Sequence, residues 1–251
     1  MIFMVVEISD YLSRVEAAQY TIFTQKFHAS VHKTLSKYNA IQHKSDNNSY
    51  WINFKSVNDA IQCALDIQHK FKYVTPKHES FQRRLNIALT TSSKATEDLF
   101  EHTEQICEMT NVQIVISTPV RDLYKSKNSN ALIDDTLIKT LSPSEETFLS
   151  ELTKFMVKHW ERPDLNVKSL TEGLDMSYSN LYRRMLKLNG KTPLKFINDY
   201  KLHKALDLLY THQWTITEIA KKTGFSSLSY FSECFLRKYG IRPSTYLKQH
   251  I

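Results

Sequence analysis

The chain has 251 residues, 41% of them hydrophobic and 24% charged, which excludes a disordered chain and is enough to build a proper core in one or two domains. The net charge of +7 is unevenly held: residues 142–251 carry 17 Lys and Arg against 11 Asp and Glu, whereas residues 1–141 carry 16 against 15. The second half is therefore expected to meet a polyanion, and because all four glycines (Gly173, Gly190, Gly224, Gly240) lie in it, the first half cannot offer a glycine-rich phosphate cradle.

No apolar run nears the roughly 18–20 residues of a membrane helix, and "MIFMVVEISD" meets acids too soon for a signal peptide. Cys63, Cys107 and Cys234 are odd in number and widely spaced, which fits buried thiols in a reducing compartment. The cytoplasm is the expected location, with no membrane partner.

In chain order, "IFMVVEI" reads as a buried strand and residues 12–37 hold helical spacing. "NAIQHKS" and "SYWINF" flank the turn "DNN", and Tyr50, Ile52 and Phe54 share one face. Ser56 and Asp59 form a capping pattern that opens a helix through "AIQCALDIQHKF", and "RRLNIALTT" returns as a strand. The order β-α-β-β-α-β is the split βαβ arrangement. A helix over about 97–109, the strand "VQIVIST" and a helix from Pro119 follow. Polar composition then predicts a linker over 126–143, between a domain at 1–125 and another at 144–251.

From Ser144 the pattern is helical. "EETFLSELTKFMVKHW" is amphipathic, "PLKFINDYKLHKALDLLY" is a long helix beginning at Pro193, and each side of that helix carries a short helix, a turn and a second helix. Small apolar stripes (Val167, Leu170, Leu174; Ile216, Ile219, Ala220) mark the short helices. The second helices bury Leu181 and Met185 in one case and Tyr230, Phe231 and Phe235 in the other. Their outer faces carry Ser179, Tyr182, Arg183 and Lys187, and Ser229, Glu233, Arg237 and Lys238. Apolar residues on one side and short polar or arginine side chains on the other are what a helix seated in a DNA major groove needs.

Residues 144–251 resemble the C-terminal DNA-binding domain of AraC/XylS-family transcription regulators, through "SLTEGLDMSYSNLYRRMLKLNGKTPLKFINDYKLHKALDLL" and "TITEIAKKTGFSSLSYFSECFLRKYGIRPSTY". The resemblance implies two helix-turn-helix units joined by a long helix. By motif position it puts Ser179, Tyr182 and Arg183, and Leu228, Ser229, Ser232 and Glu233, toward the bases. Glu233 stands where many members carry a basic residue, and a carboxylate there would accept from cytosine N4.

The N-terminal half resembles a class III nucleotidyl cyclase homology domain, through "VVEISDYLSRV", "HKSDNNSYWINFKSVNDAIQCALDIQHKF", "RRLNIALTT" and "EDLFEHTEQICEMTNVQIVISTPVRDLY". Mapped onto that family, the first metal-binding Asp is Glu7 and the following glycine is Asp10. The hairpin tip has no glycine, with Asn48 near the second Asp position and Asp46 able to substitute. The transition-state Asn and Arg fall near Gln105 and Met109. Two-metal phosphoryl chemistry needs paired carboxylates and charge neutralisation, so a kept fold and a lost reaction are expected. Glu7, Asp10 and Asp46 are weak candidates for one cation, against the plainer reading of a solvated strand residue and turn caps. His28 and His32 lack a third ligand.

The expected fold is thus an α/β (α+β) N-terminal domain with a ferredoxin-like βαββαβ core, followed by an all-α domain with two helix-turn-helix units. The expected function is a sequence-specific transcription regulator, not an enzyme and without a cofactor. Its N-terminal domain senses an effector or dimerises; the alternative is an active nucleotidyl cyclase fused to a DNA-binding domain. The expected partner is double-stranded DNA, with RNA polymerase, a small-molecule effector and a second copy of the chain as further candidates.

Overall fold

The uninterrupted apolar run at the start of the chain forms β1 (Ile2–Ser9), and the computed structural model places it inside a six-stranded sheet. The structure describes residues 1–9, 17–45, 49–74, 84–92, 97–128 and 133–249. Flanking β1 are β3 (Ser49–Phe54) and β4 (Arg84–Thr91), both antiparallel to it, so that Val5 lies opposite Trp51 and Ala88. One edge is β2 (Ile41–Ser45), antiparallel to β3; at the other side β5 (Ile114–Ser117) and β6 (Ile138–Leu141) continue in parallel. The strand order is β2-β3-β1-β4-β5-β6.

Among the described residues four helices belong to this region: α1 (Ala17–Lys37), α2 (Val57–Val74), α3 (Glu97–Met109) and α4 (Thr118–Lys127). The two-residue period sends Tyr50, Ile52 and Phe54 to one face, where Tyr50 meets Phe27 of α1 with ring centroids 6.2 Å apart. Phe3 points to the other face and meets Phe100 of α3 edge-on at 5.0 Å. Burial on both faces explains why β1 reads as a continuous apolar run rather than an alternating one.

The stretch expected to be a linker, 126–143, holds the end of α4 and all of β6. β6 has only four residues, with Ile138 and Leu141 buried, too short for alternation to stand out in a polar segment. The described residues fall into two compact units, divided along the chain at residue 150, inside α5 (Pro143–His159).

Beyond α5 the second unit is wholly helical: α6 (Val167–Gly173), α7 (Tyr178–Asn189), α8 (Pro193–Tyr210), α9 (Ile216–Lys222), α10 (Leu228–Tyr239) and α11 (Pro243–Gln249). Each start has a chemical cause. Asn166 and Ser169 form a capping box at α6, and Thr215 and Glu218 form one at α9. The side chains of Ser177, Thr192 and Ser227 accept the third-residue N–H of α7, α8 and α10, and Pro193 presets the first turn of α8. Leu202, Ala205 and Leu209 of α8, Ile219 and Ala220 of α9, and Phe231 and Phe235 of α10 form one core.

Candidate nucleic-acid interface

The α6–α7 and α9–α10 pairs are built alike. Leu174 N–H donates to Leu170 O, Asp175 to Glu172 O and Met176 to Thr171 O; Thr223, Gly224 and Phe225 donate in the same pattern to Ile219, Lys221 and Ala220. The turn residue is left-handed in both, Asp175 at φ 48° and Gly224 at φ 68°. Only the second must be glycine for space as well: a Cβ on Gly224 would stand 2.6 Å from the carbonyl oxygen of Glu161. After the turn, α7 and α10 each run twelve residues to a left-handed glycine, Gly190 or Gly240.

On α7, Leu181, Met185 and Leu188 are buried, while Ser179, Arg183 and Lys187 are exposed and Tyr182 is half-buried beside them. On α10, Phe231, Cys234 and Phe235 are buried, while Leu228, Ser229, Glu233 and Arg237 are exposed and Ser232 is half-buried. The structure therefore brings the expected residues of each helix onto one outer face. Glu233 and Arg237, one turn apart, are ion-paired.

Two assignments need correction. Tyr230, expected in the apolar face of α10, is exposed, and its hydroxyl accepts a hydrogen bond from Asn198 Nδ2 of α8 at 2.8 Å. Its angle around α10 sets it beside α8 rather than over the core, where the next residue, Phe231, is fully buried. Lys238, expected on the outer face, instead donates to Asp199 O of α8 at 3.1 Å.

Lys201 was not singled out in the sequence. It is 3% exposed on α8, and its ammonium donates to Arg162 O at 2.9 Å and to Gly224 O at 2.7 Å. It thus ties the turn before α10 to the segment after α5. Burial pushes this ammonium down to about 8, with Asp164 acting in the opposite sense. The available signal was a lysine at i+4 from Ile197 and i−4 from Ala205, inside the buried stripe of α8.

In the first unit, Glu7 lies in register with Ser49 on one side and Asn86 on the other. Asp10 and Asp46 lie outside the described residues, as does the turn "DNN". Among the described residues no group of three or more His, Cys, Asp and Glu side chains could hold a metal ion. His28 Nδ1 hydrogen-bonds the Tyr50 hydroxyl, and the His32 ring packs against the same tyrosine. Cys63 and Cys107 are buried, which pushes the Cys63 thiol up to about 12 and raises Cys107 as well, so neither has thiolate character.

A family model described as a helix-turn-helix domain matches residues 170–249. A histidine kinase P4 from Formosa agariphila is 29% identical over 50% of this chain and 9% of its own length. The HTH-type transcriptional regulator AlkR of Acinetobacter baylyi is 30% identical over 45% of this chain and 35% of its own length. The C-terminal domain of AraT, a response regulator from Geobacillus stearothermophilus, is 28% identical with a TM-score of 0.39, over 43% of this chain and 86% of that one. The catalytic core of a rhodopsin-guanylyl cyclase is 14% identical with a TM-score of 0.42, over 50% of this chain and 81% of that one. This chain spans well under two thirds of either curated relative. Its C-terminal region is thus matched as a helix-turn-helix domain. No helix among the described residues is long and apolar enough to cross a membrane.

Proposed function

We propose that the protein is a sequence-specific, double-stranded-DNA-binding transcription regulator of the AraC/XylS type. The observation that carries this is the repeated helix pair. α7 and α10 share capping, turn geometry and length, and each presents a polar outer face on a segment with 17 basic and 11 acidic residues. In this reading α6–α7 and α9–α10 are two helix-turn-helix units. The joining helix α8, at 1.5 Å per residue about 27 Å long, suits two successive major grooves on one DNA face, roughly 34 Å apart.

Ser179, Tyr182, Arg183 and Lys187 serve one half-site, and Leu228, Ser229, Ser232, Glu233 and Arg237 the other. Arg183 is the best-placed bidentate donor for a guanine. The test is fluorescence anisotropy of the full chain on a duplex selected from random sequence. The selected duplex should bind more tightly than a random one, with log K falling linearly against log salt. Equal affinity for both would refute the reading.

For the N-terminal unit the reading is a ferredoxin-like core of the cyclase-homology kind that catalyses nothing. It serves in pairing two copies or in sensing a small effector. The β1α1β2β3α2β4 order, with β1 between β3 and β4, supports it. RNA polymerase is the further partner of such a regulator, and the cytoplasm its place.

A further inference from the structure

Tyr178 opens α7 and Leu228 opens α10, each directly after the capping serine. Both side chains are exposed, Tyr178 at 57% and Leu228 at 42%. Neither is needed by the core beneath it, which Leu181 and Met185 fill in one unit and Phe231 and Phe235 in the other. Elsewhere on this face Ser179 matches Ser229 and Lys187 matches the basic Arg237, while Tyr182 occupies the place of Ser232 and Arg183 that of Glu233. Leu186 and Leu236 form a second matched pair, exposed at 40% and 39% toward the C-terminal ends; Tyr178 and Leu228 are the pair at the N-terminal ends, the part of a groove-seated helix that comes to the base edges.

The geometry points to Tyr178 and Leu228 as thymine-reading residues, one for each half-site. The inference rests on the DNA-binding reading above. A helix seated in the major groove brings its N-terminal residues to the base edges, and thymine alone presents a methyl group there. The Tyr178 ring lies 5.9 Å from that of Tyr182 with their planes 32° apart, so the pair forms a broad apolar surface beside Arg183. Leu228 offers a smaller aliphatic one. Excess positive charge over residues 142–251, 17 against 11, suits the same polyanionic occupant.

The experiment uses the full chain and a duplex it selects from random sequence, with each thymine replaced in turn by deoxyuridine, which lacks only the methyl group. Wild type, Tyr178→Ala, Tyr178→Phe and Leu228→Ala are compared by anisotropy. One thymine in each half-site should weaken binding about four-fold on replacement, the value of one buried methyl. That penalty should vanish at one half-site in Tyr178→Ala and at the other in Leu228→Ala, while Tyr178→Phe keeps it. A duplex in which no thymine shows a penalty, or a penalty unchanged in both alanine variants, overturns the inference and leaves the regulator reading standing. So does Tyr178→Phe weakening binding as much as Tyr178→Ala with deoxyuridine neutral, which marks a hydroxyl–phosphate contact. If no sequence is enriched, the regulator reading falls and this inference with it.

Discussion

Lys201 Nζ lies 2.7 Å from the carbonyl oxygen of Gly224, so a buried ammonium on the long helix α8 fixes the turn that aims α10. Arg162 O, at 2.9 Å, is the second acceptor. Replacing Lys201 by Met fills the stem's space and leaves both carbonyls without this donor. At about 1–3 kcal/mol for each buried unsatisfied group, the expected loss is about 2–4 kcal/mol of unfolding free energy. Urea denaturation checks it, and a loss under about 1 kcal/mol would show that water replaces the ammonium.

The same residue sets a pH dependence. Its folded value, about 8, lies below the ordinary lysine value of 10.5. Between those two values the unfolded state therefore binds more protons than the folded state, and by linkage this contribution to stability rises with pH. The stability of the wild type relative to Lys201→Met should increase from pH 8 toward pH 10. A relative stability that falls over this range would mean that the two carbonyls hold the ammonium charged.

Gly224 and Gly240 are both left-handed, at φ 68° and 77°, yet their surroundings differ. A Cβ at Gly240 meets nothing within 4 Å, whereas one at Gly224 stands 2.6 Å from backbone oxygen. Gly240→Ala should cost only the left-handed penalty, about 1–2 kcal/mol. Gly224→Ala should add the cost of a clash with backbone, about 1–3 kcal/mol more. Thermal unfolding of the two variants side by side gives the comparison, and equal losses would contradict it.

Which parts were legible follows from the same chemistry. Pro193 fixed the start of α8, Gly190, Gly224 and Gly240 marked turns, and the two helix pairs could be read from local spacing. β6 escaped because four residues at a sheet edge leave no period. Lys201 escaped because a charged residue in an apolar stripe reads as solvated until its two carbonyl partners, 39 and 23 positions away, are brought together. Tyr230 and Lys238 were misplaced for a related reason: spacing gives the angle of a side chain around its helix but not whether α8 stands beside it.

Arg183 is exposed on the outer face of α7. Its replacement by alanine should cost about 1–3 kcal/mol on the selected duplex and relax preference at one base pair. An equal loss on every sequence would make it a phosphate contact only.

Glu233 neutralises Arg237 on the outer face of α10. An exposed pair one turn apart contributes little to stability, so Glu233→Ala should leave the unfolding midpoint nearly unchanged. It should instead release Arg237 to a phosphate. Affinity for random duplex then rises, and the slope of log K against log salt steepens by about 0.9, the value of one added phosphate contact. A steeper slope with no loss of sequence preference would also show that Glu233 reads no cytosine. An unchanged slope would show that Arg237 stays folded back or points away from the backbone.

The first unit is expected to make no cyclic nucleotide. Phosphoryl transfer needs cationic groups at the transferring phosphate and carboxylates clamping a metal pair. At the positions the cyclase resemblance assigns to the transition state, Met109 is buried and carries no charge, and Gln105 hydrogen-bonds Glu101 at 3.2 Å along its own helix. Glu7 lies between the polar neighbours Ser49 and Asn86 on adjacent strands, and the Asn86 amide donates to Cys107 O of α3 at 3.4 Å. That bond ties β4 to the helix packed over it and requires no metal. Incubation of the full chain with ATP or GTP and Mg²⁺ or Mn²⁺, followed by chromatography, should give no cyclic product. Product that disappears in Glu7→Ala would restore the carboxylate to catalysis and overturn the non-catalytic reading of this unit.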